Sequence, residues 1–214
     1  VIAVRSYGFP YEWSLWTEEE GLVPTGVGRA TGMSADGAVV SGNGSTGAFR
    51  WTEATSAVPL TPVGGYGSTV ANVVSADGSF IVGSSSGIGI PDGGTHAARW
   101  NEAGVATDLG DLASGPIDAI AYDVSADGSV VVGQGTVESS SSVNPFVSEA
   151  FRWTEATGMQ GLGFLGDGYV SSSANEVSPD GVLVFGTTSW DYGMDVFVWD
   201  ARNGMRPLVA VLAN

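Results

Sequence analysis

Short apolar runs alternate with Gly- and Asp-containing turns along the whole chain. Residues 71–74 read Ala-Asn-Val-Val and residues 80–82 read Phe-Ile-Val, with a Ser-Ala-Asp-Gly turn between them. Runs of this length, alternating or rich in β-branched residues and bounded by turn residues, are typical of β-strands. The pattern therefore predicts an all-β protein built from short hairpins.

The turn motif occurs four times. It reads Ser-Ala-Asp-Gly at 34–37, 75–78 and 125–128, and Ser-Pro-Asp-Gly at 178–181. A type I turn accepts proline at its second position, so Pro179 fits the motif, and the glycine that ends it suits the left-handed residue of a G1 bulge. Each copy is predicted to join two strands, which we name A and B.

An aromatic motif follows each turn motif. It reads AFRWTEAT at 48–55 and 150–157, AARWNEAG at 97–104 and VFVWDARNG at 196–204, and WSLWTEEEG at 13–21 is a fifth copy. The segment after each tryptophan is predicted to turn the chain between strands C and D. The aligned tryptophans are predicted to be core residues between neighbouring units; they are Trp16, Trp51, Trp100, Trp153 and Trp199.

Five four-stranded units in 214 residues give about 43 residues each, the size of a propeller blade. We predict a single five-bladed β-propeller domain over 1–214, with units of about 1–28, 29–68, 69–118, 119–171 and 172–214. Residues 1–4 align with 182–185, so the first blade is predicted to lack its innermost strand A. Residues 208–212 are predicted to be the last strand D. A ring with one three-stranded blade, a proteolytic product and a section of a longer array all remain open.

Unit length varies almost wholly between strands B and C. The motif serine precedes the next tryptophan by 17, 25, 28 and 21 residues, whereas the tryptophan precedes the next motif serine by 24, 25 and 25 residues. A constant scaffold with one variable connection per repeat places binding surfaces on the variable connection. In a propeller the B–C and D–A connections share one face, which we name the loop face.

Aromatic and acidic residues collect in the predicted loop-face segments. Aromatic rings beside carboxylates suit sugars, which offer a face for stacking and hydroxyls for hydrogen bonding. The alternative interpretation is that these aromatic rings cap the ends of the core. The candidate ligand-binding residues are Tyr66, Asp92, Phe146, Asp167, Tyr169, Trp190, Asp191 and Tyr192.

Composition narrows the classes of partner. The net charge of −16, with seven arginines and no lysine, disfavours nucleic acid and anionic membrane surfaces. No apolar run approaches the roughly 18 to 20 residues of a membrane span. The absence of cysteine excludes disulfides and thiolate zinc sites.

The repeated charged residues are predicted to be structural. One motif aspartate per hairpin falls short of the roughly six to eight oxygen ligands of calcium, so no metal and no cofactor is predicted. The arginines that precede three of the tryptophans, Arg50, Arg99 and Arg152, are predicted to stack on aromatic rings or to pair with the motif aspartates.

The alternation of SADGS-VVVG with EAFRWTEATGM resembles the HAF-type extracellular repeat family of bacteria. The best matches are residues 75–83, 125–133 and 149–159. The resemblance implies a secreted or cell-surface protein. It supplies no catalytic residues, since the family carries none that are well established.

We therefore predict a non-catalytic extracellular binding or scaffold module whose partner is a glycan or another protein. His96, the single histidine, shows no partner in the sequence, and no catalytic residue is assigned. Two alternatives stay open. One is a polysaccharide-active enzyme, either a hydrolase or a lyase; a glycosidase needs two carboxylates about 5 to 9 Å apart in one cleft. The other is a filament or matrix protein that self-associates through an unpaired strand edge.

Overall fold

The computed structural model describes residues 2–5, 13–17, 21–24, 28–65, 67–87, 94–113, 115–139, 145–166 and 168–213. These residues form five antiparallel sheets, one of three strands and four of four strands. Each sheet is built from strands that follow one another in the chain. The prediction of an all-β chain of consecutive antiparallel units is therefore confirmed.

The first sheet contains β1 (Ile2–Arg5), β2 (Trp13–Thr17) and β3 (Gly21–Pro24). The second contains β4 (Arg29–Met33), β5 (Val40–Gly44), β6 (Gly47–Thr52) and β7 (Ser56–Pro59). The third contains β8 (Ser68–Val74), β9 (Ile81–Ser86), β10 (Thr95–Trp100) and β11 (Ala106–Asp108). The fourth contains β12 (Ala119–Val124), β13 (Val130–Glu138), β14 (Phe146–Thr154) and β15 (Gly158–Gly161). The fifth contains β16 (Ser171–Val177), β17 (Val184–Trp190), β18 (Gly193–Asp200) and β19 (Gly204–Pro207). A short 3₁₀ turn occupies Val63–Gly65, and helix α1 occupies Leu208–Leu212.

The core of the described chain lies between successive sheets. Three clusters of buried apolar side chains join the second sheet to the third, the third to the fourth and the fourth to the fifth. Trp100 is fully buried and its indole N–H donates to the Thr61 carbonyl at 2.7 Å, and Trp153 is also buried. The tryptophan at the same position of the first sheet, Trp16, is 41% exposed, so the predicted core role does not extend to it.

The Ser-Ala-Asp-Gly motif forms the predicted A–B turn. In the fourth sheet, the Ser125 hydroxyl donates to Asp127 Oδ1 at 2.8 Å and accepts the Val130 N–H at 2.9 Å. Gly128 takes φ 74°, the left-handed conformation that the turn requires. Hydrogen bonds from the backbone N–H and hydroxyl of Ser129 and from Ser125 lower the pKa of Asp127 to about 2. The motif aspartates are therefore turn residues, as predicted.

Each strand A of the four-stranded sheets carries a β-bulge at the same place. In the fourth sheet the register shifts between Ala121 and Asp123, and Ala121 is paired with Gly133. The bulge brings the Ile120 carbonyl so close to Gly133 that a Cβ there would lie 2.0 Å from the oxygen. Glycine is therefore required at this position of strand B by the close approach of the neighbouring backbone. The equivalent glycines are Gly42, Gly83 and Gly186.

The repeated arginines connect adjacent sheets. Arg50 donates to the Gly78 carbonyl at 3.2 Å, Arg99 to that of Gly128 at 3.0 Å, and Arg152 to that of Gly181 at 3.4 Å. Each acceptor is the motif glycine of the following sheet. The guanidinium centre of Arg99 also lies 4.6 Å from the Trp153 ring centroid, which agrees with the predicted stacking. The predicted alternative, pairing with motif aspartates, is replaced by these bonds to glycine carbonyls.

The predicted C-terminal strand is wrong. Strand D of the fifth sheet is β19, and residues 208–212 form helix α1. The C–D turn is tight, with Asp200 paired with Gly204, so strand D starts directly after it and its ladder ends at Pro207. A short strand D also ends the fourth sheet, where β15 stops at Gly161.

Candidate functional site

In the fourth and fifth sheets, much of the described part of the variable B–C connections is strand rather than loop. Strands β13 and β14 pair from Val130↔Thr154 out to Glu138↔Phe146, and β17 and β18 pair out to Trp190↔Gly193. The extra residues thus lengthen the hairpins beyond the shorter pair of β5 and β6. Candidate residues near these hairpin ends are held by ladder hydrogen bonds, which makes them more rigid than the predicted loops.

Tyr169 and Trp190 form an aromatic pair on the loop face. Their ring centroids lie 5.4 Å apart with the planes at 83°, an edge-to-face contact. The Tyr169 hydroxyl donates to Asp195 Oδ2 at 2.6 Å, and this hydrogen bond raises the pKa of Tyr169. Both rings are partly exposed, so a contact that orients them leaves aromatic surface open to solvent. We name Tyr169, Trp190 and Asp195 the aromatic cluster.

Two serine hydroxyls lie next to the aromatic cluster along the chain. Ser171 and Ser189 form a cross-strand pair with their Oγ atoms 2.6 Å apart, at the first residue of β16 and the residue before Trp190. The Val170 N–H donates to the Ser189 carbonyl at 2.7 Å, which fixes the chain next to Tyr169. The surface beside the two rings therefore offers both hydrogen-bond donors and acceptors.

The remaining described candidates lie near the aromatic cluster in sequence or on another hairpin. Asp191 and Tyr192 form the turn between β17 and β18, and Tyr192 is 94% exposed. Phe146 begins β14 and is 45% exposed, so its ring is carried by the hairpin of the fourth sheet. Tyr66, Asp92 and Asp167 lie outside the described residues.

Asp195 belongs to the site although the sequence did not single it out for binding. It occupies the strand C position that His96 and Glu149 occupy in the third and fourth sheets. His96 Nδ1 lies 2.9 Å from Asp108 Oδ2, so the expectation that His96 has no partner is wrong. Glu149 Oε1 accepts the Gly163 N–H at 2.9 Å. The side chains at this strand C position, His96, Glu149 and Asp195, therefore bind the connections that border the loop face.

A recess lies at the ends of the A strands that are opposite to the loop face. It is a cavity of about 250 Å³ lined by residues from four sheets near their A–B turns. Asp123 is the acidic residue in this lining, and its Oδ2 accepts the Val177 N–H at 2.8 Å. Burial raises the pKa of Asp123, and the nearby charge of Glu176 acts in the same direction. No repeated column marked this residue, because the positions aligned with it hold glycine, valine and glutamate.

The described chain does not present a metal centre. Among its residues, no group of three or more His, Asp or Glu side chains is arranged to hold an ion. The part of the chain that the structure covers also contains no apolar helix of membrane-spanning length.

Comparison with solved structures defines the fold class. The chain is similar to TolB from Acinetobacter baumannii, with a TM-score of 0.54 and 14% sequence identity over 92% of this chain and 48% of that one. It is also similar to an oligogalacturonate lyase solved in complex with manganese, with a TM-score of 0.60 and 14% identity over 92% of this chain and 58% of that one. The chain thus spans about half the length of these proteins.

Both similar structures are β-propellers, and together with the consecutive antiparallel sheets they assign this chain to the β-propeller fold. No family model matches the sequence, and no curated protein matches it. The assignment therefore concerns the architecture alone.

Proposed function

We propose that this chain is a non-catalytic extracellular binding module that holds a glycan at the aromatic cluster. The observation that carries the proposal is the edge-to-face pair of Tyr169 and Trp190, oriented by Asp195 and bordered by the Ser171–Ser189 hydroxyls. Sugar rings present C–H faces that stack on aromatic surface and hydroxyls that need hydrogen-bond partners. The cluster supplies aromatic surface from Tyr169 and Trp190 and a hydrogen-bonding carboxylate from Asp195.

The orientation of the cluster favours binding without large rearrangement. Trp190 ends a paired strand, and the hydroxyl of Tyr169 is already bonded to Asp195. Side chains held in this way lose little conformational freedom on binding, so more of the contact energy is retained. Tyr192, exposed at the tip of the same hairpin, is the next ring that a longer saccharide would meet.

Three further parts of the proposal rest on the sequence. The resemblance to HAF-type repeats supports secretion or display at a bacterial cell surface. The repeat length supports five blades, with the three-stranded sheet β1–β3 as the first blade of the ring. A saccharide ligand is compatible with this fold, since one of the similar structures is named as an oligogalacturonate lyase.

Glycan-array binding of the purified chain tests the proposal. We expect the chain to bind a set of glycans on the array. Trp190→Ala and Tyr169→Ala should each weaken this binding about tenfold, because loss of one stacking ring removes about 1.4 kcal/mol of binding free energy. The matched control is Val105→Ala, which trims a residue that is 52% exposed and far from the cluster in the third sheet. An array without hits, or hits unaffected by both aromatic changes, contradicts the proposal.

The same glycans distinguish binding from catalysis. Each retained glycan is incubated with the chain and analysed by mass spectrometry. We expect unchanged masses. Shortened or unsaturated products would replace the non-catalytic proposal with the hydrolase or lyase alternative.

A further inference from the structure

A groove of about 540 Å³ lies where Arg152 of the fourth sheet meets the A–B and C–D turns of the fifth sheet. We name this side of the molecule the turn face, since it is opposite to the loop face. Trp199, Arg152, Ala201 and Arg202 are among the residues that line the groove. Its volume falls within the range of about 300 to 1,000 Å³ that is usual for small-molecule sites.

The preceding interface, between the third and fourth sheets, shows how side chains can fill this place. Arg99 extends from the third sheet over the Trp153 ring of the fourth, with its guanidinium centre 4.6 Å from the ring centroid. Its Nη2 atom lies 4.0 Å from Glu155 Oε2 in the following C–D turn. Phe80 covers the guanidinium from the other side at 4.3 Å. The arginine therefore lies between aromatic rings with a carboxylate beside it.

The fifth sheet changes the residues at this place while keeping the backbone. Thr154↔Gly158 and Asp200↔Gly204 close turns of equal length, so Ala201 stands where Glu155 does in the fourth sheet. By the same alignment Arg202 stands where Ala156 does. The turn has thus lost a carboxylate and gained a guanidinium.

Arg152 makes longer contacts with the fifth sheet than Arg99 makes with the fourth. Its guanidinium centre is 6.0 Å from the Trp199 ring centroid, and its hydrogen bond to the Gly181 carbonyl is 3.4 Å long. Trp199 remains only partly buried, whereas Trp153 is 6% exposed. The space that is filled at the preceding interface is open here, and the Trp199 indole borders it.

Two guanidinium groups and two carboxylates line the groove, and both carboxylates are already engaged by donors of the chain. Asp200 is engaged by Arg206 and by the side chain and backbone of Asn203, and Asp180 accepts from Ser178 and from the backbone N–H of Val182. Arg152 and Arg202 are left facing the groove in a chain whose net charge is −16. Burial lowers the pKa of Arg152, so a nearby anion would stabilise its charged form.

We propose that this groove is a second binding site, for a sugar that carries a carboxylate. The carboxylate of a uronate residue takes the place that Glu155 occupies in the preceding interface and pairs with Arg152 and Arg202. The sugar ring stacks on Trp199. Arginine suits this role because its planar fork of N–H donors matches a carboxylate. The site lies on the turn face and does not depend on glycan binding at the aromatic cluster.

Isothermal titration with trigalacturonate and with its fully methyl-esterified form tests the proposal, at an ionic strength of about 0.15 M so that long-range repulsion is screened. The two probes share their rings and differ in charge. We expect the acid to bind at least tenfold more tightly than the ester. We also expect Ala201→Glu to weaken binding of the acid at least tenfold, because the new side chain restores the carboxylate of the repeat.

The control variant is Arg29→Gln, which lowers the net charge by one as Ala201→Glu does but lies on the exposed start of β4. It is expected to leave the affinity for the acid unchanged, which separates the effect of a carboxylate in the groove from the effect of net charge. Equal binding of acid and ester, or wild-type affinity in Ala201→Glu, overturns the proposal. Tighter binding of a tri-glutamate peptide than of trigalacturonate overturns the assignment to a sugar.

Discussion

Asn43 provides a direct test of how adjacent sheets are joined. Its side-chain amide donates to the Ala71 carbonyl at 2.8 Å and accepts the Ala71 N–H at 2.8 Å. Ala71 is fully buried on strand A, the first strand of the third sheet, where the backbone has no neighbouring strand on one side. Asn43 thus supplies across the sheet interface the two hydrogen bonds that a further strand would supply.

Replacing Asn43 with alanine removes both bonds. A buried backbone group left without a partner destabilises the folded state by about 1–3 kcal/mol. Two such groups on Ala71, with water relieving part of the loss, lead us to expect a decrease of about 2–4 kcal/mol in the free energy of unfolding. With a urea m-value of about 2 kcal/mol/M, the midpoint falls by roughly 1–2 M.

Asn101→Ala is the matched control. Asn101 also makes two hydrogen bonds, accepting the N–H groups of Ala103 at 3.0 Å and Val105 at 3.1 Å, but it lies in an exposed turn. Water replaces those bonds, so a decrease of about 0.5–1 kcal/mol is expected. Urea unfolding followed by tryptophan fluorescence measures both variants. Equal losses in the two variants would refute the reasoning that burial between the sheets decides the effect.

Three other outcomes are expected. Gly133→Ala places a Cβ 2.0 Å from the Ile120 carbonyl oxygen and should lower the free energy of unfolding by about 3 kcal/mol or more. Gly166→Ala is the control, since a Cβ there meets open space and should change the free energy of unfolding by less than about 0.5 kcal/mol. Urea unfolding measures both variants. Burial raises the pKa of Asp123 in the folded state, so the folded state binds this proton more tightly than the unfolded state does. Stability falls as pH rises from the ordinary carboxyl value of 3.8 through the raised pKa, so the melting temperature of Asp123→Asn should gain on that of the wild type as pH rises above 3.8. The pKa of Asp127 is lowered to about 2, so this carboxylate stabilises the folded state above pH 3.8 and the stabilisation is lost as pH falls towards 2. Asp127→Asn should slightly reduce the loss of stability in acid, by well under the full linkage value because the carboxylate is exposed. An unchanged dependence of stability on pH would contradict the role of Asp127 in the turn.

The repeated motifs made most of the architecture predictable. Ser125, Asp127 and Gly128 interact within one turn, so their order in the sequence determines the local conformation wherever the motif occurs. The spacing from Trp51, Trp100 and Trp153 to the next turn motif is nearly constant, which marks the scaffold that these units share. Local hydrogen bonding and period-2 burial are properties of short segments, and they can be read without knowledge of neighbouring units.

The candidate site was only partly predictable. Tyr169 and Trp190 were identified as loop-face aromatics, but their contact and the role of Asp195 depend on how a D–A connection folds back over a hairpin. Trp190 was assigned to a loop and instead ends a paired strand, because added residues between strands B and C extended the ladder. Neither the length of a ladder nor the path of a connection is determined by the residue types alone.

The sequence by itself determined the fold class, the four A–B turns, the tryptophan and arginine columns and the acidic character of the chain. Tertiary structure decided which partners those residues meet: Arg99 bonds to the Gly128 carbonyl of the next sheet, and Asn43 bonds to Ala71. It also decided that Ala201, an ordinary turn residue in the sequence, leaves an open groove beside Arg152. The reason is physical: turns and strand periodicity arise from interactions between near neighbours in the chain. Hydrogen bonds between sheets join residues from 21 to 54 positions apart and exist only once the sheets have packed.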